Sequence, residues 1–318
     1  METHRDLIAL AARGGLPGPA VVAIGMFDGL HVGHRRLLDE LKLWAREAGA
    51  APRVVTFDRH PQEVLTGSGP IVISSLEHRL VLLEREGIAD TLVLSFDRAM
   101  SAESADDFVR RVVVQALGGR RLLLGFDSAI GHKRQGNFEY LSGRTLALGI
   151  QVRQARIERI SGERVSSTLV RDALAVGELA RLEQLLGRPF ALFGRVTEGD
   201  GRGRTLGFPT ANVDTMGTGL PPLGVYFAHV VLLDRPGVAP RIAVVNVGKR
   251  PTFKDPTVAC TLVEAHLLDW NGSLYGERVE VMLRKRARGE LKFESVDELV
   301  KQIRRDVAQA RDFFRQDP

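Results

Sequence analysis

The alternation of short apolar segments with amphipathic ones, up to about Leu186, constrains the fold more than any other feature of the sequence. The apolar segments have the length and composition of buried strands, and they are residues 20–24, 53–57, 91–96 and 121–126. Segments with helical spacing lie between them, at residues 37–48, 76–87 and 104–119. This alternation predicts a parallel, doubly wound sheet whose ligands bind beyond the carboxyl ends of the strands.

The pattern changes after LLGRPF, residues 185–190, where strand-like segments follow one another without helices between them. These segments are residues 191–199, 224–233, 241–248, 260–268 and 277–285, and one helical pattern follows at 295–314. Many strands at short spacing predict an antiparallel barrel, closed by one terminal helix. We therefore expect a Rossmann-like α/β domain at 1–186 and a β-barrel domain with a C-terminal helix at 187–318.

Composition narrows the class of protein. The chain of 318 residues has a net charge of +5 and a pI near 9.6, which suits anionic ligands such as phosphates and leaves nucleic acid open. The single cysteine, Cys260, excludes an internal disulfide and a cysteine-based zinc site, and it suits a reducing cytoplasm. The N-terminus is a poor signal peptide, and no apolar run reaches the roughly 18 residues of a membrane span. We expect a cytoplasmic protein.

The stretch FDGLHVGH, residues 27–34, lies where the first predicted strand ends and the first helix begins. Phosphate binds readily at such a place, because the backbone N–H groups of a helix N-terminus are unpaired and carry partial positive charge. His31 and His34 are three residues apart and fall on one face of the first turn, where both could reach a triphosphate. Histidines in a loop are often ordinary surface residues, and the sequence alone leaves that alternative open.

A second element, SSTLVR at residues 166–171, precedes another predicted helix. We expect Ser167 and Thr168 to cap this helix, with Arg171 one turn further in. A hydroxyl and a guanidinium group placed in this way can hold phosphate oxygens, although a simple helix cap explains the same residues. The GxxxxGK[ST] and HExxH motifs are absent, and GRGRTLG misses the GxGxxG spacing by one residue. A hydride-transferring dinucleotide enzyme and a zinc hydrolase therefore lose their support.

In the second half, the stretch GRGRTLGFPTAN at 201–212 combines glycines and arginines in a way that favours an anion-binding loop. Thr210 and Asn212 are two residues apart, so on an extended chain their oxygen atoms face the same way and suit a hard cation such as Mg²⁺. Glu264 interrupts an apolar strand, where a carboxylate needs a partner or exposure. Surface exposure explains both features equally well.

Taken together, HxGH and SSTxxR mark the nucleotidyltransferase superfamily, and the chain resembles the prokaryotic bifunctional riboflavin kinase/FAD synthetase family. The matching segments follow the family's order over nearly the whole chain. They are GMFDGLHVGH (25–34), VVTFDRHP (54–61), GFDSAIGHKRQGN (125–137), RVSSTLVRDALAVGEL (164–179), GRGRTLGFPTAN (201–212), LPPLGVY (220–226), NVGKRPTF (246–253), LVEAHLLDW (262–270), LYGERVEV (274–281) and ELKFESVDELVKQIRRD (290–306).

The resemblance implies that the first domain transfers AMP from ATP to FMN, giving FAD and pyrophosphate without a covalent enzyme intermediate. His31 and His34 would contact the ATP phosphates, and Asp127 matches the family's Asn or Asp near the nucleotide. The leaving pyrophosphate would be bound by Ser167, Thr168 and Arg171. Nucleotide-binding roles are also expected for three neighbours of the histidines, Gly25, Phe27 and Asp28.

The resemblance also implies that the second domain is a riboflavin kinase. The loop that contains Gly201 and Arg204 would bind ATP, and Thr210 and Asn212 would hold Mg²⁺ or another divalent cation. Glu264 would be the general base that takes the proton from the riboflavin 5′-hydroxyl as it attacks the γ-phosphate. The expected partners are riboflavin, FMN and ATP, with no nucleic acid and no membrane, and the chain is expected to be a monomer or a weak homo-oligomer.

Two further interpretations stay open. Ser128 and Ile130 stand where the family usually has aromatic residues, which suggests a kinase whose adenylyltransfer half has decayed. The basic pI and the run RKRAR at 284–288 suggest a flavin- or RNA-binding regulator on an enzyme scaffold.

Overall fold

The computed structural model describes residues 1–251 and 259–316, with the side chains of 249–251 and 259–261 excepted. The last two residues of the NVGKRPTF segment lie outside the described residues, as does the side chain of Cys260. The chain forms two compact units. The first comprises Met1–Ile71 and Leu76–Ser167, and the second comprises Val72–Ser75 and the chain from Thr168 onward.

The first unit contains a six-stranded sheet in which every neighbouring pair is parallel. Its strands are β1 (Glu2–His4), β2 (Ala20–Ile24), β3 (Ala51–Phe57), β4 (Asp90–Leu94), β5 (Gly119–Leu124) and β6 (Gln151–Gln154). The spatial order is β1-β4-β3-β2-β5-β6. From β2, the strands β3 and β4 are added in turn on one side, whereas β5 and β6 are added on the other side. The strand order therefore reverses between β2 and β5. Ligands in doubly wound folds bind at this reversal.

The burial of β2 shows why this unit is layered. All five of its residues are buried, and alternate side chains enter different core clusters, with Val22 and Ile24 on one face and Val21 and Ala23 on the other. Other strands and several helices supply further residues of both cores. The helical elements of the unit are α1 (Leu7–Ala12), α2 (Val32–Glu47), α3 (Pro61–Thr66), α4 (Leu76–Arg85), α5 (Arg98–Ala102), α6 (Ala105–Phe108), a π-helical turn at Val109–Ala116, a 3₁₀ turn at His132–Arg134, α7 (Phe138–Ser142) and α8 (Thr145–Leu148).

The second unit is built on a closed antiparallel barrel with the spatial order β10-β13-β12-β11-β14-β9. A short hairpin, β7 (Arg159–Ile160) and β8 (Glu163–Arg164), precedes it in the chain. The barrel strands are β9 (Ala191–Thr197), β10 (Ala211–Asp214), β11 (Gly224–Leu232), β12 (Arg241–Pro251), β13 (Ala259–Leu267) and β14 (Arg278–Arg288). The helices are α9 (Ser167–Val176), α10 (Leu179–Leu186), α11 (Arg202–Thr205) and α12 (Val296–Gln316).

Helix α12 covers the outside of the barrel. Ala310 and Phe314 of the helix form a core cluster with Phe227 and Leu268 of the barrel unit. A buried ion pair adds to this packing, because the Asp306 carboxylate lies 2.7 Å from the Arg288 guanidinium at the end of β14. The α/β unit and the barrel with its C-terminal helix confirm the fold class predicted from the sequence. No helix in the described ranges is both long enough and apolar enough to cross a membrane.

Candidate active sites

The loop between β2 and α2 holds the two predicted histidines at the point where the strand order reverses. His31 is the N-cap of α2, and its Nδ1 accepts a hydrogen bond from the His34 backbone N–H at 3.2 Å. The two imidazole rings are stacked, with centroids 3.6 Å apart and an interplanar angle of 11°. His31 is 6% exposed. The pair therefore forms one face at the N-terminus of a 16-residue helix, where anions are favoured.

The backbone of this loop holds an uncommon conformation. Phe27 and Leu30 have positive φ angles of 51° and 39°, which residues other than glycine seldom adopt. Both side chains are about 1% exposed, and the Phe27 ring lies 5.3 Å from the His34 ring. Burial of two large side chains thus fixes the loop, and strain held in this way is common at functional sites.

Asp28 and Ser167 connect the two sequence motifs. The Ser167 hydroxyl donates a hydrogen bond to the Asp28 carbonyl oxygen at 3.2 Å, across 139 residues of chain. Asp28 is 3% exposed, and its charge acts on the buried Arg79, which donates hydrogen bonds to Thr56 Oγ1 and the Phe57 carbonyl. Burial lowers the pKa of Arg79, and the Asp28 charge opposes that effect. Asp28 is placed to hold the loop rather than to face a ligand.

The expected cap at SSTLVR is wrong in detail. Helix α9 begins at Ser167 itself, so Ser167 and Thr168 lie in its first turn instead of preceding it. From within that first turn, the Ser167 hydroxyl donates its proton to the Asp28 carbonyl oxygen. Arg171 lies one turn further along α9, as the spacing predicts. Thr168 and Arg171 belong to the second compact unit, whereas Ser167 ends the first.

A cavity of about 770 Å³ lies at the carboxyl edge of the sheet in the first unit. It brings together most of the predicted residues of this domain, namely Gly25, Phe27, His31, His34, Asp127 and Ser167. Three other predicted residues, Asp28, Thr168 and Arg171, are not among the lining residues. The cavity opens beside the ends of β2 and β5, the two strands between which the order reverses, as expected for this class of fold.

Basic side chains that the sequence reasoning did not select also line the cavity. Lys133, Arg134, Arg156 and Arg164 contribute four positive charges, whereas the described lining contains two carboxylates, Asp127 and Glu158. An excess of cationic groups around a cavity of this size suits a polyphosphate ligand. The motif GFDSAIGHKRQGN contained Lys133 and Arg134, but only the fold shows that they face the same cavity as the histidines.

Asp127 is held by basic neighbours. Its carboxylate lies 2.5 Å from the Arg164 guanidinium, and its carbonyl accepts a hydrogen bond from Arg134 at 2.7 Å. The Arg164 guanidinium also lies 6.0 Å from the centroid of the Phe126 ring. Asp127 thus orients cations along the cavity wall.

His60, from the VVTFDRHP segment, also lines this cavity. It is the N-cap of α3, where its Nδ1 accepts a hydrogen bond from the Gln62 N–H at 3.2 Å. The position before a proline at the start of a helix accounts for this contact.

A second cluster of polar side chains lies on the barrel. Glu264 on β13 pairs in register with Asn212 on β10 and with Asn246 on β12. Directly paired residues of neighbouring strands share a face of the sheet, so the three side chains form a row across three strands. Val263 and Ala265, the neighbours of Glu264, are 1% exposed, whereas Glu264 is half-buried. The row therefore lies on the outer face of the barrel. Asn246 was not predicted as part of this site, because its position beside Glu264 depends on the register of β12 and β13.

The glycine-rich loop packs closely on the two proposed metal ligands. A Cβ at Gly199 would lie 2.0 Å from Asn212 Nδ2, and one at Gly203 would lie 3.0 Å from Thr210 Oγ1. Only glycine permits this approach, so the backbone of the loop lies against both side chains. Gly201, with φ of 69°, precedes the short helix α11, and Arg204 lies exposed on that helix.

This arrangement fits a hard divalent cation. Thr210 and Asn212 offer neutral oxygen atoms, and Glu264 supplies a carboxylate from the strand paired with β10. Mg²⁺ prefers a few protein oxygen ligands together with phosphate oxygens and water, so side-chain oxygens of this kind suit it.

The fold and the two clusters define a class: a two-domain protein with a cavity rich in basic side chains on an α/β sheet and a glycine-rich loop on a barrel, an arrangement that suits phosphate-containing ligands. Two family models match the chain, FAD synthetase over residues 16–169 and riboflavin kinase over residues 186–314. Bifunctional riboflavin kinase/FMN adenylyltransferases are similar to it along their length. The Haemophilus influenzae protein is 37% identical over 92% of this chain and 94% of its own, and the Escherichia coli protein is 40% identical over 92% of each.

The chain belongs to the family of bifunctional riboflavin kinase/FMN adenylyltransferases. It phosphorylates riboflavin to FMN and adenylylates FMN to FAD, and both activities use ATP. A solved structure from Streptococcus pneumoniae, described as a macrolide-efflux protein, has the same fold, with a TM-score of 0.82 at 30% identity over 98% of this chain and 99% of that one.

Proposed function

We propose that the two reactions are divided between the two clusters, with adenylyl transfer in the cavity of the first unit and riboflavin phosphorylation on the outer face of the barrel. The observation that supports this most directly is the separation of the two clusters: the described residues that line the histidine cavity belong to the first unit, whereas Asn212, Glu264 and Asn246 belong to the second. The domain boundary at residue 186 stays our proposal: the first family model ends at residue 169 and the second begins at 186, whereas the compact units divide between Ser167 and Thr168.

In adenylyl transfer, a phosphate oxygen of FMN attacks the α-phosphorus of ATP, and the bond to the β-phosphate breaks to release pyrophosphate. The protein's part is to position both substrates and stabilise the charge on the phosphoryl oxygens. The stacked pair His31 and His34 would contact the ATP phosphates at the N-terminus of α2. Asp127, held by Arg164, would orient the nucleotide, and Ser167, Thr168 and Arg171 would bind pyrophosphate.

Nucleotide roles for Gly25, Phe27 and Asp28 divide into two kinds. Gly25 and Phe27 line the cavity, which supports a direct part in binding. Asp28 would act through the loop conformation, because its carbonyl is bonded to Ser167 and its charge acts on Arg79.

In the kinase reaction, the riboflavin 5′-hydroxyl attacks the γ-phosphorus of ATP, and the bond to the β-phosphate breaks to release ADP. Glu264 would remove the hydroxyl proton during the attack. Gly201 and Arg204 would hold the phosphates, and Thr210 and Asn212 would hold Mg²⁺. The cation, when bound, would neutralise charge on the phosphate oxygens.

The residue assignments are tested with two variants assayed in both reactions. Glu264→Gln should abolish FMN formation from riboflavin while FAD formation from added FMN continues. The double variant His31→Ala, His34→Ala should do the reverse. If either variant, folded, stops both reactions, the two-site assignment is wrong. A nonhydrolysable ATP analogue should bind at two saturable sites per molecule, and a single site would contradict the proposal.

An RNA-binding role has less support from the structure than from the sequence. Basic side chains of the run at 284–288 are engaged within the second unit: Lys285 lies 5.3 Å from the Phe313 ring, Arg286 donates to the Leu223 carbonyl and Arg288 binds Asp306. We therefore propose that the chain acts without nucleic acid. We also propose, from the composition and the family, that it acts in the cytoplasm without a membrane, as a monomer or weak homo-oligomer. Gel-shift assays across salt concentrations test whether the chain binds nucleic acid. Sedimentation measures its oligomeric state.

A further inference from the structure

His266 links the strand of Glu264 to the segment that carries Thr210. It lies two residues after Glu264 on β13, so the two side chains are on the same outer face of the barrel. Its Nδ1 lies 2.8 Å from the carbonyl oxygen of Pro209, and its ring contacts the Phe208 ring edge to face, with centroids 5.5 Å apart. The imidazole thus touches both residues that immediately precede Thr210.

The chemistry of this contact fixes the state of the imidazole. A carbonyl oxygen only accepts hydrogen bonds, so Nδ1 must carry the proton and donate it. On the opposite side, the Phe208 N–H donates to the Gly203 carbonyl at 2.8 Å, within the glycine-rich loop. The segment before Thr210 is therefore attached to the loop by one hydrogen bond and to β13 by another.

We propose that His266 is a positioning residue of the kinase site. The hydrogen bond from its Nδ1 to Pro209 sets where Thr210 lies relative to Glu264, and the contact with Phe208 keeps the imidazole in the plane that this bond needs. His266 touches neither substrate nor cation in this role. The proposal rests on the assignment of Thr210 to the magnesium site and of Glu264 to the base.

Loss of this hydrogen bond should weaken the binding of Mg²⁺ and ATP more than it changes the position of the general base, Glu264. Glu264 is fixed by its own register with Asn212 and Asn246, whereas Thr210 precedes β10, which begins at Ala211. One net hydrogen bond corresponds to a change of about 3- to 10-fold in binding. We expect the KM for MgATP and the magnesium concentration for half-maximal kinase rate to rise by about that factor, with a smaller change in kcat.

The test compares three substitutions of His266 in the full-length chain. His266→Asn places an amide N–H near the Nδ1 position, His266→Gln places it near Nε2, and His266→Phe keeps the ring but removes the donor. The Asn variant should restore most of the wild-type magnesium dependence, whereas the Gln and Phe variants should shift it about 3- to 10-fold. FAD formation from added FMN serves as a control in the same molecules.

Several outcomes would overturn the proposal. It fails if the Asn variant is as impaired as the Phe variant, if all three resemble the wild type, or if kcat falls while the magnesium dependence is unchanged. A Thr210→Ala variant separates the proposal from its premise. If Thr210→Ala leaves the magnesium dependence unchanged, the metal assignment fails and the proposal fails with it. If Thr210→Ala shifts it and His266→Phe does not, only the role of His266 is refuted.

Discussion

Substitution of Gly199 by alanine provides a sharp test of the kinase site, because the expected displacement can be read from the structure. A Cβ at this position would lie 2.0 Å from Nδ2 and 2.6 Å from Cγ of Asn212. Non-bonded heavy atoms prefer separations of about 3.5–4.0 Å, so the amide of Asn212 must move by about 1.5 Å. Gly199 is not among the residues with positive φ, so the substitution adds the methyl group without left-handed strain.

The size of the effect follows from the importance of position in phosphoryl transfer. A displacement of about 1 Å in a positioning group can reduce a rate by about 100-fold, which corresponds to about 2.7 kcal/mol of transition-state stabilisation. We therefore expect kcat/KM for riboflavin phosphorylation to fall by about two orders of magnitude in Gly199→Ala. The free energy of unfolding should change little, because Asn212 is half-buried and its side chain can rotate away.

The assay measures FMN from riboflavin and MgATP, and separately FAD from FMN and ATP, in the same preparation. Gly272→Ala is the matched control, since it makes the same substitution in the second unit at a position where the nearest atom beyond the adjacent residues, Trp270 Nε1, would lie 3.5 Å from the new Cβ. The proposed role of Asn212 in the kinase site is wrong if Gly199→Ala keeps kinase kcat/KM within about threefold of the wild type. It is also refuted if FAD formation falls in parallel, because the lesion would then not be local.

Three other results are expected. Asp306 is 2% exposed and binds Arg288 and Gln302, so Asp306→Ala, which leaves the guanidinium without its carboxylate, should lower the free energy of unfolding by about 3 kcal/mol in urea titrations. Hydrogen bonds from Arg278 lower the pKa of Asp234, so the stability they contribute is full above the ordinary carboxyl pKa of about 4 and is lost as the pH falls through the lower folded value. Asp234→Asn should accordingly make the thermal midpoint less sensitive to acid in that range, as followed by circular dichroism. Chelation of divalent cations should stop FMN formation, and added Mg²⁺ should restore it, which a coupled ADP assay would follow; activity in excess chelator would contradict the proposed metal site.

The strands and helices with strong periodicity were predictable, and the edges of the sheet were not. Strand β2 was predicted with its observed bounds because all of its residues are apolar and buried. Strand β6, with the sequence QVRQ, has no apolar run, since an edge strand is paired on one side and half-exposed. Strand β1 was missed for a similar reason, because its three residues pair only with β4.

The site was predictable where its residues are close in sequence. The pair His31 and His34 follows from helical spacing, and the structure places their rings in contact. Arg164 could be placed in the cavity only once the fold had brought its hairpin beside Asp127. Asn246 could be placed beside Glu264 only from the register of β12 and β13. Sequence spacing reports local geometry, whereas strand register and the reversal of strand order are properties of the whole chain.

The structure also bears on whether Ser128 and Ile130 weaken adenylyl transfer. Ile130 is 8% exposed and belongs to the core of the first unit, and its backbone pairs with Gly136 through hydrogen bonds of 3.2 and 2.9 Å. Ser128 and Ile130 both line the cavity, and the Ile130 side chain also packs against the core of the unit. Phe126, which is 49% exposed and lines the cavity beside Arg164, supplies an aromatic face two residues before Ser128. We propose that Phe126 supplies the aromatic face against which FMN packs, because it lies exposed in the cavity that also holds the histidine pair. Wild-type protein supplied with FMN and ATP should form FAD, whereas Phe126→Ala should raise the KM for FMN more than that for ATP; equal effects on both would contradict this assignment of the aromatic face.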